Sequence, residues 1–438
     1  MVELNTSYSH SKTTLSNGLR LVTVDMPHIH EASATMFIRC GPVYETKETN
    51  GLSHFLEHIL LAGPKKYPSS AEFRQALDGL GAYLGAGVFK ERVYFGFTTL
   101  PENIEKSLTA IAEVLESPRF DQRDIEIERQ IILEEALEDQ DSTGADIGIG
   151  VISSALLWPD HPLGMKILGS PENIKEFTEA DLKNHFQKFF KASNMVLCLA
   201  GQLGDREKLE RFVQKHFSFL EKGALIEIPE ISEEQNAPQF SFTKRAGQAQ
   251  IEGQICFRAL PQGHPQSIAL ETLHTILGSS GTSRLPANLC GKQGLVYKIY
   301  SALCAFSNTG TLDINFSVSP EKFEIVVKEI LLELEKMRKA ISPEELARAK
   351  VRQERNILFS MSNPQWFSKV FGLSLLLGKV KTPEEVLKEV KKVTTQSAVS
   401  LAQKIFVPQN LNLIVVGPYQ KGAKKRIKNI VGEFTEHI

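Results

Sequence analysis

The sequence predicts an α+β fold of two duplicated halves, each a largely antiparallel sheet covered by helices. Strand-like apolar segments cluster together, long amphipathic segments follow them, and one helix–strand pattern recurs 216 positions further along the chain. Strands grouped with hairpins and then helices are typical of layered α+β domains. The 438 residues allow two to three domains, each large enough to bury its own core.

Five segments rich in β-branched and aromatic residues are expected to form strands. They are residues 20–26, 33–40, 93–100, 251–260 and 296–305. The polar turn at 307–310, followed by TLDINFSV, predicts a hairpin. Long helices are expected at 320–339 and 342–358 because apolar residues recur there at helical spacing.

The recurring pattern is a helix that begins at a threonine cap and runs into a buried strand. Thr178 precedes the first helix and Asn194 precedes the strand MVLCLA. In the second copy Thr394 and Asn410 hold the same positions before LNLIVV. Because threonine is a favoured N-cap residue and the positions share one register, the pattern predicts an internal duplication.

The boundary between the halves is expected at residues 221–239. This segment is acidic and polar and contains two prolines, as linkers often do. The division gives an N-terminal half at 1–220 and a C-terminal half at 240–438.

Composition narrows the classes of function. Fifty basic and fifty-two acidic residues give a net charge of −2, so no nucleic-acid partner is expected. No run of eighteen apolar residues is present, and no membrane span is expected. The first twenty residues lack a secretory pattern and the five cysteines are widely spaced, which predicts a cytoplasmic location. The periplasm and the mitochondrial matrix stay open.

The strongest chemical signal is NGLSHFLEHILLAG, from residue 50. Asn50 is expected to cap a helix on which His54 and His58 leave from the same side, so both imidazoles can bind one zinc ion. Glu57 is then positioned as a general base toward a water molecule. The pattern is HxxEH, the inverzincin motif. The alternative is a pair of surface histidines that share helical spacing by chance.

A catalytic zinc ion usually has three protein ligands, so a further carboxylate is needed. In the helical pattern DIEIERQIILEEALED, Glu128 and Glu135 project within about 20° of each other, on a face expected to include Ile131 and Ile132. We therefore assign Glu135 as the third ligand and Glu128 as a carboxylate that orients a ligand. Glu134 is expected to face solvent.

These segments resemble the pitrilysin/insulinase-type (M16) zinc peptidases, in particular the half-size branch that includes the mitochondrial processing peptidase β subunit and its bacterial relatives. The resembling stretches are GPVYE at 41–45, GLSHFLEH at 51–58, ERQIILEE at 128–135, HPLG at 161–164 and ILGSPENI at 167–174. The resemblance covers essentially the whole chain. It implies a LuxS/metalloprotease-like fold with one Zn²⁺ site, in the N-terminal half only.

The family further implies an endopeptidase that cleaves peptides or unfolded segments inside a clam-shell chamber formed by two chains. The peptide substrate is held as an extra strand along a sheet edge. The alternative is a catalytically silent structural subunit, like the core proteins of the respiratory bc1 complex.

Two departures from the family pattern matter. Relatives carry an arginine seven residues before a tyrosine; here Tyr297 is a possible substrate contact, but Cys290 stands where the arginine is expected. Arg284 and Lys292 are nearby substitutes. At the substrate strand, Gly-Ala-Gly-Val at 85–88 replaces the usual Asn-Ala-x-Thr. We therefore expect the metal-bearing subunit of a hetero-oligomer whose homologous partner supplies the Arg/Tyr pair, with a homodimer left open.

Overall fold

The chain forms two compact units, each with a sheet of its own. A computed structural model describes residues 8–436 except 142, 143, 145, 233, 234, 246 and 379. The first unit contains the chain up to Ala136, Met165–Pro229 and Leu358–Thr382. The second contains Leu137–Gly164, Glu230–Ile357 and the chain from Pro383.

The sheet of the first unit brings a short strand to its edge. Its strands are β1 (Ser9–Thr14), β2 (Arg20–Asp25), β3 (Ala32–Ile38), β4 (Tyr83–Phe89), β5 (Arg92–Thr99) and β6 (Met195–Gly201). Their order is β1-β2-β6-β3-β5-β4, with β2 and β6 parallel and the other neighbours antiparallel. Strand β4 pairs with β5 on one side and forms the edge.

The sheet of the second unit repeats this arrangement. Its strands are β7 (Gln239–Thr243), β8 (Ile251–Ala259), β9 (Lys298–Ala305), β10 (Gly310–Val318) and β11 (Leu411–Val416). The order is β7-β11-β8-β10-β9, with the one parallel pair between β7 and β11. This order matches β2-β6-β3-β5-β4, and the predicted duplication, strands and hairpin are confirmed.

Helices cover both sheets. In chain order they are α1 (Leu52–Leu61), α2 (Ser70–Asp78), α3 (Ile104–Glu116), α4 (Gln122–Ala136), α5 (Ile149–Leu157), α6 (Pro171–Glu176), α7 (Glu179–Phe189), α8 (Arg206–His216), α9 (Ser267–Leu277), α10 (Phe323–Lys339), α11 (Pro343–Ser360), α12 (Pro364–Phe367), α13 (Ser374–Leu377), α14 (Pro383–Lys392), α15 (Thr395–Ile405) and α16 (Ala423–Glu436). Two π-helical segments are Pro286–Lys292 and Ser368–Leu373. None of the helices in the described residues is long and apolar enough to cross a membrane.

The two copies of the recurring pattern are locally alike because their caps are alike. Thr178 and Thr394 each accept a hydrogen bond from the N3 backbone N–H and complete a capping box, at the starts of α7 and α15. Each helix leads into the buried strand of its unit, β6 or β11. Such a cap satisfies two helix-end N–H groups that otherwise lack partners.

The central strands of the first sheet, β2, β3 and β6, are buried on both faces. One face packs against a core that includes residues of α1, α3 and α7, which positions α1. The other face is covered by the segment that contains α12, α13 and the π-helix between them. The buried side chains of this second layer include Val22, Phe37, Val196, Phe367, Phe371 and Leu376. Because burying one phenylalanine contributes about 1.5–3 kcal/mol, this segment stabilises the unit substantially.

Candidate metal centre

Helix α1 is held at its first turn by a buried carboxylate. Glu45 accepts hydrogen bonds from the N–H groups of Gly51 and Ser53, at 2.9 and 2.7 Å. Helix α1 starts at Leu52, and its N-cap residue is Gly51 with a φ of +110°. The expectation that Asn50 caps the helix is wrong. The Asn50 amide donates to Glu45 and to the carbonyl of Lys166, because Glu45 already satisfies the helix end.

The two predicted histidine ligands lie together on α1. The ring centroids of His54 and His58 are 4.8 Å apart at an interplanar angle of 72°. His54 and Glu57 are buried, and the His58 side chain is 17% exposed. Glu57 belongs to the same cluster, with its Oε2 atom 3.9 Å from His58 Nε2.

Helix α4 brings two carboxylates to the histidines. Glu135 Oε2 lies 3.7 Å from His54 Nε2 and 3.6 Å from His58 Nε2. Glu128 Oε2 lies 2.9 Å from His58 Nδ1, within hydrogen-bond distance. Glu134 is exposed, as predicted. Of the two isoleucines expected on the inner face, Ile132 is buried and Ile131 is 47% exposed, so the expectation is wrong for Ile131 alone.

The spacing of these donor atoms fits a zinc ion. Two ligand atoms of a tetrahedral zinc lie roughly 3.3–3.5 Å apart when each bond is about 2.0–2.1 Å long. The distances of 3.6 and 3.7 Å from Glu135 to the two histidine nitrogens are close to this value. Glu57 is also in range, since His54, Glu57 and His58 offer donor atoms that all lie within 4.8 Å of one another, but its distance to His58 Nε2 is longer, at 3.9 Å. The geometry therefore favours Glu135 over Glu57 as the third donor.

The electrostatics of the cluster also favour a cation. Burial, then the nearby His58, lowers the pKa of His54 to about 3, which keeps this imidazole neutral with a free lone pair. Burial opposes protonation of His58, but the hydrogen bond to Glu128 and the surrounding carboxylates raise its pKa above the ordinary value. Burial raises the pKa of Glu57 to about 7. The nearby His58 opposes this shift, and repulsion from Glu135 and Glu128 adds to it.

A polar network beneath α1 has no signal in the sequence. The buried His185 of α7 lies with Nε2 2.9 Å from the hydroxyl of Ser53 and 3.8 Å from Glu45 Oε1. The thiol of Cys40 donates to the same hydroxyl at 3.3 Å. Burial lowers the pKa of His185 to about 3 and raises that of Cys40 far above its usual range. His185 has no ligand-spaced neighbour in the sequence, so only the tertiary structure reveals this network.

The second-half residues singled out from the sequence lie in the second unit. Tyr297 directly precedes β9, and its side chain is 95% exposed. Cys290 lies in a π-helical segment, with its sulfur 3.9 Å from the Tyr297 carbonyl oxygen. Arg284, one of the suggested substitutes for the missing arginine, forms a two-pronged ion pair with Glu345 at 2.7 Å for each contact. That ion pair occupies the guanidinium group.

The comparisons with known proteins agree with the fold. The family model described as "Insulinase (Peptidase family M16)" matches residues 20–169, and the one described as "Peptidase M16 inactive domain" matches residues 176–352. The chain belongs to peptidase family M16. The histidine cluster lies within the first of these two matches.

Two relatives that match most of this chain have names that describe proteases. A Rickettsia felis protein named "Uncharacterized zinc protease" is 28% identical over 92% of this chain and 96% of its own length. A probable mitochondrial-processing peptidase β subunit of Arabidopsis thaliana is 25% identical over 93% of this chain and 78% of its own. A crystal structure of a Helicobacter pylori protease has the same fold, with a TM-score of 0.87, 21% identity, and 94% of this chain and all of that chain covered.

Proposed function

We propose that this chain is a zinc-dependent endopeptidase that acts on peptides or unfolded segments. The observation that carries the proposal is the convergence of His54 Nε2, His58 Nε2 and Glu135 Oε2 beside the buried carboxylate of Glu57. These three donors hold Zn²⁺, and Glu128 fixes His58. The names of the zinc-protease relatives support this reading.

Bound zinc supplies the Lewis acidity that polarises a peptide carbonyl and makes a water molecule more acidic. Glu57 accepts the proton of the attacking water and passes it to the amine leaving group. A base works best when its pKa is near the working pH, and the burial of Glu57 moves its pKa in that direction. Burial of Glu57 also limits the number of competing water molecules near the reacting atoms.

The substrate binds as an additional strand along β4. This strand is an edge of the sheet, and α1 packs against it, so a peptide paired with β4 runs beside the metal ligands. A cavity of about 630 Å³ beside β4 is lined by Tyr83, Phe89 and Tyr94, which offer apolar contacts to substrate side chains. Residues 85–88 have small side chains, and backbone pairing needs none.

The chain works with a second chain of the same family. Cys290 cannot supply the charged fork of the arginine that relatives carry seven residues before the tyrosine. The proposed assembly is a hetero-oligomer in which a homologous partner supplies the Arg/Tyr pair. A homodimer is the second arrangement, in which Tyr297 contacts the substrate without an arginine.

The test is cleavage of quenched fluorescent peptides by the purified, zinc-loaded chain, with and without a chelator. Cleavage that the chelator stops supports an enzyme complete in one type of chain. If the chain binds zinc but does not cleave the peptide, and a co-expressed family partner restores cleavage, the hetero-oligomer is supported. If no zinc binds, the proposed function is wrong, and a silent structural subunit becomes the better reading.

A further inference from the structure

A cavity of about 670 Å³ in the second unit carries positive charge that the peptidase reaction does not use. Parts of α9, α10 and α11 form its walls, together with the loop and the π-helical segment after α9. Two of its side chains are acidic, Glu333 and Glu345. Six are cationic: Arg284, Lys292, Lys336, Lys339, Arg348 and Arg352. The excess is local, because the whole chain has a net charge of −2.

Both carboxylates are already occupied by two of the cations. Glu345 holds Arg284 through two contacts of 2.7 Å. Glu333 pairs with Lys336 at 2.7 Å and also accepts a hydrogen bond from the amide of Asn288 at 3.0 Å. Within the part of the chain that the structure describes, none of the other four cations forms an ion pair with a carboxylate. Arg348 also lies close enough to Glu344 and Glu345 to help lower the pKa of both, so it shares its charge with them. The charges of Lys292, Lys339 and Arg352 are therefore the most available to a ligand.

Arg352 forms hydrogen bonds to hydroxyl groups in the loop that follows α9, at this cavity. Its guanidinium group donates to the hydroxyls of Ser280 and Thr282, the latter at 2.9 Å. Burial lowers the pKa of Arg352 below its ordinary value, and the neighbouring guanidinium groups of Arg355 and Arg348 lower it further. These like charges repel one another, and a bound anion relieves that repulsion.

We propose that this cavity binds a soluble oligophosphate group. Arginine forks, lysine point charges and serine or threonine hydroxyls are the groups that proteins use to bind phosphate oxygens. Four cations without paired carboxylates suit a ligand that concentrates several negative charges, whereas one peptide carboxylate carries only one. The volume lies within the range of roughly 300–1,000 Å³ that is usual for small-molecule sites. The proposal does not depend on the metal centre.

The test is calorimetric titration of the full chain with tripolyphosphate. We expect saturable binding with one site per chain, and weaker binding as salt is added, because salt screens charges at an open site. Lys292 and Lys339 are exposed, so the double variant K292E/K339E should fold normally and bind at least about tenfold more weakly. The matched control, K388E/K392E, makes the same charge change at exposed positions of α14 outside the cavity and should bind like the wild type.

Three results would overturn the proposal: no saturable binding, equal weakening in the two double variants, or a hexaglutamate peptide that binds as tightly as tripolyphosphate. Competition by ATP identifies the source of the phosphate. ATP that displaces tripolyphosphate supports a nucleoside triphosphate, and ATP that fails to displace it supports inorganic polyphosphate. The Glu57→Gln variant should bind tripolyphosphate unchanged, which separates this site from the peptidase function.

Discussion

Glu128 on α4 and His58 on α1 form a 2.9 Å hydrogen bond in which the imidazole Nδ1–H donates to the carboxylate. This bond sets the tautomer of His58 and leaves the lone pair of Nε2 on the side of Glu135. Arg129, the next residue on α4, donates to the backbone carbonyls of Ile174 and Phe177 and anchors the helix. These contacts hold α4 against α1, although the two helices are distant in the sequence. They keep the side chains of His58 and Glu135 at a spacing that fits a metal ion.

Replacing Glu128 with alanine should weaken zinc binding about 10–100-fold, because His58 loses the group that orients it. The affinity is measured by competition with a chromogenic chelator. The matched control is Glu134→Ala, which removes an exposed carboxylate from the same helix and should leave the affinity unchanged. Equal affinities for Glu128→Ala and the wild type would remove Glu128 from the site.

The Glu57→Gln variant should keep its zinc and lose about 10²–10⁴-fold in peptide turnover, because an amide cannot accept the proton. Zinc content by mass spectrometry and peptide cleavage are measured on the same sample, with the partner present if cleavage requires one. Full turnover with full zinc would contradict the assignment of Glu57 as the base.

Replacing Glu45 with alanine should lower the free energy of unfolding by about 2–6 kcal/mol. The change leaves the buried N–H groups of Gly51 and Ser53 without their acceptor, at about 1–3 kcal/mol each. Urea unfolding provides the measurement. Glu48→Ala, at a fully exposed position of the same loop, should change stability by less than about 0.5 kcal/mol. If Glu45→Ala also lowered the free energy of unfolding by less than about 0.5 kcal/mol, the carboxylate would not be what holds α1.

The buried Asp313 of the second unit should make stability depend on pH. Burial raises its pKa from 3.8 to about 6, against opposing hydrogen bonds from Cys256 and Thr311. The folded chain therefore binds this proton more tightly than the unfolded chain does. The resulting stability is fully present below about pH 3.8 and is lost as the pH rises through about 6.

The Asp313→Asn variant should lack this dependence. Its free energy of unfolding relative to the wild type should rise by about 2.4 kcal/mol between pH 4 and pH 7. Asp160→Asn, at an exposed position of the same unit, serves as the control and should give a flat difference. A flat difference for Asp313→Asn as well would show that Asp313 titrates normally.

Local patterns were sufficient for much of the fold and for the helix that carries the histidines. The relation of His54 to His58 depends only on helix geometry, and the duplicated caps at Thr178 and Thr394 depend only on nearby residues. The face of α4 was harder to predict. Ile131 is exposed because the buried face of α4 is narrow and includes the polar pair Glu128 and Arg129.

Contacts between distant parts of the chain were not predictable. The cap of α1 comes from Glu45, six residues before Gly51, which a search for a local cap at Asn50 misses. The segment with Phe367 and Phe371 covers the first sheet although it lies in the second half of the sequence. An apolar helix does not reveal which sheet it covers. The division of the chain at 221–239 stays a prediction.

The most direct test of the zinc site is an anomalous difference map of the zinc-loaded protein, collected at the zinc absorption edge. The account predicts one peak about 2.0–2.2 Å from His54 Nε2, His58 Nε2 and a carboxylate oxygen of Glu135, with Glu57 outside bonding distance. A peak bonded to Glu57 in place of Glu135, or no peak at these histidines, would contradict it.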